Sequence, residues 1–227
     1  MRELYTRELE KVTEDLVEMA GDVATAIEQA SAALQQADLA VAERVIDADA
    51  SIDEMERRLD ERCVELIARQ GPVAGDLRLV LTALRMSASI ERMGDLARHI
   101  AQVARGRFPD HAIPSILTAT FDQMAAAAIK AAQSVTQLLE SRDTELASQI
   151  GAADDTLDAL HRETFRVLLA AKDGLTNQEV VDVTLLGRYY ERFGDHAVSV
   201  ARRVTYLVTG DLAEFTTEGH HSTTGSA

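Results

Sequence analysis

The 227-residue chain has no tryptophan, only three prolines, a single cysteine and an aromatic content of 4%. Few aromatics and few turn-formers argue against a β-sandwich or barrel, which need both. One cysteine excludes an intrachain disulfide, and the apolar helical setting of Cys63 marks it as a small core residue rather than a nucleophile. Positive charge is scarce: 23 Lys and Arg stand against 38 Asp and Glu, a formal net charge of -15. Direct nucleic-acid binding needs a basic footprint and is excluded on that ground, as is simple attraction to an anionic membrane surface. No apolar run is long enough to span a bilayer, and the charged N-terminus lacks the apolar core of a secretory signal. The expectation is a cytoplasmic protein without membrane insertion. No HExxH, P-loop or Gly-x-Ser-x-Gly motif occurs, so an enzyme is not expected.

What the chain has in abundance is alanine, leucine, valine, glutamate and aspartate, and it repeats itself. A shift of 105 residues aligns Met19 with Met124, Leu34 with Leu139, Asp49 with Asp154, Asp53 with Asp158 and Arg57 with Arg162. A shift of 100 aligns Glu91, Arg92, Gly94, Asp95 and Ala97 with Glu191, Arg192, Gly194, Asp195 and Ala197. The change of shift predicts that copy two has the shorter connection before its third helix. Each copy reads as three helices: Thr6 to Gln36, Asp38 to Arg69 and Gly75 to Gly106, then Ser115 to Ser141, Arg142 to Lys172 and Asn177 to Val208. Asp38 and Asp143 are the N-cap or turn residues between first and second helices.

Apolar stripes at three- and four-residue steps carry the helical reading. Met86, Ile90, Met93, Ala97, Ile100 and Ala104 match Leu186, Tyr190, Phe193, Ala197, Val200 and Val204 on the third helices. Ile52, Met55, Leu59, Cys63 and Leu66 form the stripe on the second helix, and Leu157, Leu160, Val167 and Ala171 its counterpart. The predicted fold is all-α, with two tandem three-helix bundles over 1–107 and 114–209. A tail over 210–227 should fray, leaving His220 and His221 exposed rather than ligating.

The chemistry-bearing residues are carboxylates. Glu91 and Asp95 lie four apart on one helix face, one position off the core stripe, and Glu191 and Asp195 repeat them. Asp49 with Asp53, and Asp154 with Asp158, form the same spacing on the second helices. Like charges at that spacing repel, so arginines (Arg57, Arg92, Arg98, Arg162, Arg192, Arg202) or a bound cation must compensate. Gly94 and Gly194 sit mid-helix at a cost of about 1 kcal/mol each relative to Ala. That predicts either the close approach of another backbone or ligand, or tight helix packing. His99 and His196 flank the motifs without repeating, and Asp158-Ala-Leu-His161 is an imperfect di-iron-type motif that copy one, with Glu56, does not share.

These residues resemble the PhoU family of phosphate-signalling regulators, from about Leu4 to Val208. The resemblance rests on the two three-helix repeats, on Asp76-Leu-Arg78 opening the third helix, on Ile90-Glu-Arg-Met-Gly-Asp95 and on Tyr190-Glu-Arg-Phe-Gly-Asp-His196. It implies a cytoplasmic, non-enzymatic adaptor between the ATPase of a phosphate ABC transporter and a two-component sensor histidine kinase, holding phosphate-starvation genes off when phosphate is plentiful. It also implies metal ions, iron or zinc, held by Glu91, Asp95, Glu191 and Asp195 together with Asp49, Asp53, Asp154 and Asp158. Asp76-Leu-Arg78 has no counterpart in copy two, where Thr176-Asn-Gln178 stands. A homodimer is expected. No phosphate cradle is legible, so phosphate status is expected to arrive through a partner. The competing readings are a metal-dependent phosphohydrolase, with clustered carboxylates activating water, and a purely structural helical scaffold.

Overall fold

A computed structural model describes residues 2–171 and 174–210. The expected tail, with His220 and His221, lies outside the described residues, as do Lys172 and Asp173. Among the described residues there are no strands, and six α-helices make the fold: α1 (Arg2–Gln36), α2 (Leu39–Gln70), α3 (Ala74–Arg107), α4 (Thr118–Ser141), α5 (Glu145–Ala170) and α6 (Asn177–Thr209). The first turn expected of the fourth helix is instead a separate 3₁₀ turn, Ser115–Leu117, directly after Pro114. No helix is long and apolar enough to cross a membrane.

The boundaries have local causes. Asp38 caps α2 by accepting a hydrogen bond from the Val41 amide at 3.0 Å. At the other end Gly71 adopts φ 55°, and its amide closes on the Ile67 carbonyl, the left-handed stop that glycine permits. Asp143 accepts from the Glu145 amide at 3.0 Å and turns the chain into α5. Thr176 and Glu179 form a reciprocal capping box on α6. Copy two is indeed the shorter, but not in its connection. Helix α5 ends at Ala170, five residues before the position equivalent to Gln70 under the shift of 105, while its link to α6 is longer than the three-residue Gly71–Val73 link of copy one. The sequence after Ala170 carries Lys172, Asp173 and Gly174, a poor continuation for a helix.

The third-helix stripes are buried along their whole length, and so is the α2 stripe from Ile52 to Leu66. On α5 only Leu157 of the four expected residues is fully buried; Leu160, Val167 and Ala171 are half-buried, and Phe165 and Leu169 are exposed. The two repeats share one continuous apolar core. Helices α1, α3, α4 and α6 form its centre, with α1 against α4 and α3 against α6, while α2 packs on α1 and α3 and α5 packs on α4 and α6 from outside. Polar bonds cross between the repeats from this centre out to the surface. Tyr190 and Ser31 hydroxyls meet at 2.9 Å in full burial. Arg107 on α3 forks onto the buried carboxylate of Asp182 on α6, and Gln35 donates to Asp122 at 2.8 Å.

Two acidic faces and the pocket between them

The outer helices α2 and α5 bring the second-helix aspartates beside the third-helix motifs, as the repeat required. The glycines explain how closely. A Cβ on Gly94 would meet Ile52 Cδ1 at 3.2 Å and Ile52 Cγ2 at 3.3 Å. On Gly194 it would meet Leu157 Cδ1 at 2.8 Å and overlap the Asp154 carboxylate. Both glycines therefore serve the packing of the second helix on the third, and in copy two the space also receives an acidic side chain.

In copy one the carboxylates are neutralised from within. Arg98 Nε sits 2.6 Å from Asp49, which is only 7% exposed, and its second nitrogen bonds Asp95. Arg92 bonds Asp95 at 2.8 Å and lies 3.5 Å from Glu91. Burial raises the Asp95 carboxyl, but the Arg98 hydrogen bond and the Arg98 and Arg92 charges outweigh it and hold the group below its ordinary value. Burial, together with the charges of Asp53 and Asp95, still pushes Asp49 up against the pull of Arg98. Glu91 is pushed up to about 7, by burial first and then by the neighbouring Asp95. Glu56, also raised by burial, extends this acidic face, while Asp53 stands exposed at its edge.

Copy two lacks the internal cation, because Val198 stands where Arg98 stands in copy one. Asp154 Oδ1 and Glu191 Oε2 are both buried without a hydrogen-bond partner. Burial, then the charges of Asp195 and Asp158, push Asp154 up to about 7. Glu191 and Asp195 are also raised, with burial the leading cause in each. Arg188 bonds the other oxygen of Glu191, and Arg162 approaches Asp158 at 3.6 Å on the surface. Asp154 and Asp195 have no ion pair among the described residues.

The expected ligands are thus neighbours, but not a finished cage: among the described residues no three His, Cys, Asp or Glu side chains converge as a metal site. The donor set of copy two fits a cation, with two partnerless buried oxygens and a charge deficit. That of copy one does not, since Arg98 already occupies the place. Arg57 compensates Glu54 and Glu61 rather than Asp53. His161 packs its ring edge on Gly187 and lies tilted against Phe165, ring centroids 5.0 Å apart. Burial makes Cys63 an inert core thiol, pushed up to about 12. Asp76 and Arg78 tie the start of α3 to neighbouring helices. Tyr5 of α1 donates to Asp76 at 3.0 Å, and Arg78 lies over the Tyr206 ring of α6, 5.3 Å from its centroid.

Sequence reasoning missed one feature. Between α3 and α6 opens a cavity of 200 Å³ lined by both repeats, with Arg92, Asp95, Leu96 and His99 from one and Arg188, Tyr189, Arg192 and His196 from the other. The signal was present in the duplicated Glu-Arg pair. Neighbouring residues on a helix point about 100° apart, so a glutamate facing its outer helix turns the next arginine toward the other repeat.

Comparison with known proteins places this arrangement. The model of the PhoU domain matches the chain twice, over residues 16–104 and 121–204. The chain is 45% identical over 210 residues to a phosphate-specific transport system accessory protein, PhoU homolog 2 of Mycobacterium bovis, covering 92% of this chain and 99% of that protein. It is 44% identical to PhoU homolog 1 of Mycobacterium leprae, covering 94% and 96%. Its fold superposes on the crystal structure of PhoU from Pseudomonas aeruginosa with a TM-score of 0.83 at 31% identity, over 91% of this chain and all of that one. PhoU from Streptococcus pneumoniae shares the fold, with a TM-score of 0.82 at 22% identity over 92% and 98% of the two chains.

Proposed function

This chain belongs to the PhoU family, and on that premise we propose that it is a regulatory accessory protein of a phosphate-specific transport system. It docks the transporter ATPase and a sensor histidine kinase and keeps the phosphate-starvation response off when phosphate is plentiful. The supporting observation is that the duplicated motif builds two acidic helical faces on one shared core. Such faces suit basic partner surfaces, which charge complementarity would steer and select. The test is co-purification of this chain with each partner from phosphate-replete and phosphate-starved cells, beside expression of starvation genes in a deletion strain. Association with neither partner, or unchanged gene expression on deletion, would sink the reading.

A cation belongs to this proposal at the second repeat. Asp154, Asp158, Glu191 and Asp195 would hold it, and Asp154 Oδ1 and Glu191 Oε2 carry the argument as buried oxygens without a partner. When bound, it supplies the positive charge that Arg98 supplies in copy one, tying α5 to α6. An all-carboxylate set favours hard, oxygen-preferring cations. The role is structural, setting the shape and charge of the docking face.

A further inference from the structure

The three arginines of the α3–α6 cavity are unexpected in a chain of net charge -15. Arg92 and Arg192 are the same residue of the duplicated motif, brought from opposite repeats to one opening. Arg188 is an addition of copy two, since Ala88 stands at the equivalent position. Like charges gathered this way repel unless countered. Arg92 is countered by Asp95 and Glu91, and Arg188 by Glu191. Arg192 makes no ion pair or hydrogen bond among the described residues. Each guanidinium has five N–H donors, so Arg92 and Arg188 keep free donors beyond those their carboxylates use.

Asp95 also lines the cavity and would repel an anion, but Arg98 and Arg92 both bond it, while Arg192, whose charge reaches Asp195, makes no bond that uses its donors. His99 leans on Tyr189, ring centroids 5.2 Å apart, and its Nδ1 is buried without a partner. At about 30 Å³ per water, the cavity holds six or seven waters, enough for one five-atom oxyanion with part of its hydration. A larger hollow of 530 Å³ beside the link between repeats offers no such chemistry: Leu34, Ile113, Gln35 and Asp122 line it, and the last two already bond each other.

The geometry points to a binding site for a small tetrahedral oxyanion, inorganic phosphate, held between the repeats by Arg92, Arg188 and Arg192. Planar guanidinium forks match phosphate oxygens two at a time. The choice of phosphate among oxyanions rests on the regulatory reading above, whereas the site rests on the cavity alone. It departs from the sequence expectation that phosphate status arrives only through a partner. A ligand here would touch α3 and α6 together and bias how the two acidic faces sit relative to each other.

The test is isothermal titration of inorganic phosphate into the purified full-length chain, with sulfate as the competing oxyanion. One saturable site is expected, with phosphate preferred to sulfate. Arg192→Ala and Arg188→Ala should each weaken it about tenfold or more, as loss of a charge-assisted bond does. Arg166→Ala, which removes an exposed arginine on α5, should leave it unchanged. Arg192 is exposed and unpaired, so its variant should keep the fold; circular dichroism checks this, and Arg192→Lys, which keeps the charge, should retain part of the affinity. No saturation by about 10 mM phosphate, equal affinity in Arg192→Ala, or equal weakening by Arg166→Ala would each overturn the site. Because no transporter or kinase enters the titration, its failure is separate from failure of the regulatory role.

Discussion

Arg98 and Asp49 are joined across α2 and α3 at 2.6 Å, and this one contact separates the two repeats chemically. The same guanidinium bonds Asp95, so a single residue neutralises two carboxylates. In copy two Val198 cannot do this, and Asp154 is left with burial and the repulsion of Asp195 and Asp158. The molecule therefore repeats its helical order but not its charge.

Replacing Arg98 by valine should make copy one behave like copy two. Breaking a buried pair costs about 3–5 kcal/mol, and Arg98 is partly solvated, so the expected loss is about 2 kcal/mol at pH 7 in urea unfolding. Part of that loss should return as pH falls. The folded Asp95 carboxyl lies below its unfolded value, so its contribution is full above the unfolded pKa and disappears as pH drops through the folded one. A loss that does not shrink in acid would contradict this assignment.

Glu91 and Asp154 carry the opposite sign. Both are raised to about 7, so the folded state holds their protons better than the unfolded chain does. Their contribution is complete below the unfolded carboxylate pKa and is lost as pH rises through about 7. In chelator, unfolding free energy should therefore decline between about pH 4 and 7 and level off above. Asp154→Asn should flatten that decline and stabilise the protein by about 1 kcal/mol at pH 8, a modest figure because the group is only half buried. An unchanged pH profile in the variant would remove Asp154 as the cause.

Much of this was legible in the residues alone. The stripes from Met86 to Ala104 and Leu186 to Val204 gave both third helices and their buried faces, because a 3.6-residue period is local information. The approach of Asp49 to Asp95 followed from packing the second helix beside the third. What was hidden is what depends on contacts between distant segments. The Arg98–Val198 asymmetry lies one position beyond the last aligned pair, Ala97 with Ala197, and its meaning appears only when Asp49 is seen beside it. The arginine pocket joins residues 100 apart in sequence: the Glu-Arg spacing turns each arginine off its outer helix, but only the packing of α3 on α6 brings Arg92 to Arg192. The second helix of copy two was read on to Lys172, two residues past its end at Ala170, because apolar Ala171 continues the pattern beyond the last helical turn.

Gly94 and Gly194 should respond differently to alanine. At Gly94 the new methyl meets the ends of the Ile52 side chain, which can yield, and helix propensity returns about 1 kcal/mol, so Gly94→Ala should be close to neutral. At Gly194 it meets both Leu157 and the Asp154 carboxylate, and overpacking should cost about 2 kcal/mol. Equal stability of the two variants in urea melts would show that the α5–α6 contact is looser than described.

The cross-repeat bond between Tyr190 and Ser31 should be measurable by a double-mutant cycle. Tyr190→Phe removes the phenol and leaves a buried hydroxyl on Ser31, which should cost about 1–2 kcal/mol. Ser31→Ala in that background should restore part of it, because no polar group is then left unpaired. Strict additivity of the two substitutions would mean the hydroxyls do not interact.

The charge asymmetry gives the sharpest test of the proposed cation. Val198→Arg places a guanidinium in copy two at the position Arg98 holds in copy one, three residues after the motif aspartate. It should bond Asp195 and Asp154, occupy the place of a divalent ion and remove the ion's stabilising effect. Wild-type protein stripped with chelator and then given Mn²⁺ should show a rise in melting temperature, since a ligand that binds only the folded state stabilises it by mass action. Val198→Arg should melt higher than the stripped wild type and show no further rise with Mn²⁺. Elemental analysis should find the metal retained by wild type and absent from the variant. Asp49→Ala with Asp95→Ala, which touches only copy one, should leave the wild-type response to Mn²⁺ intact. A response that survives Val198→Arg but vanishes in the copy-one variant would place the cation in the wrong repeat and reverse the assignment.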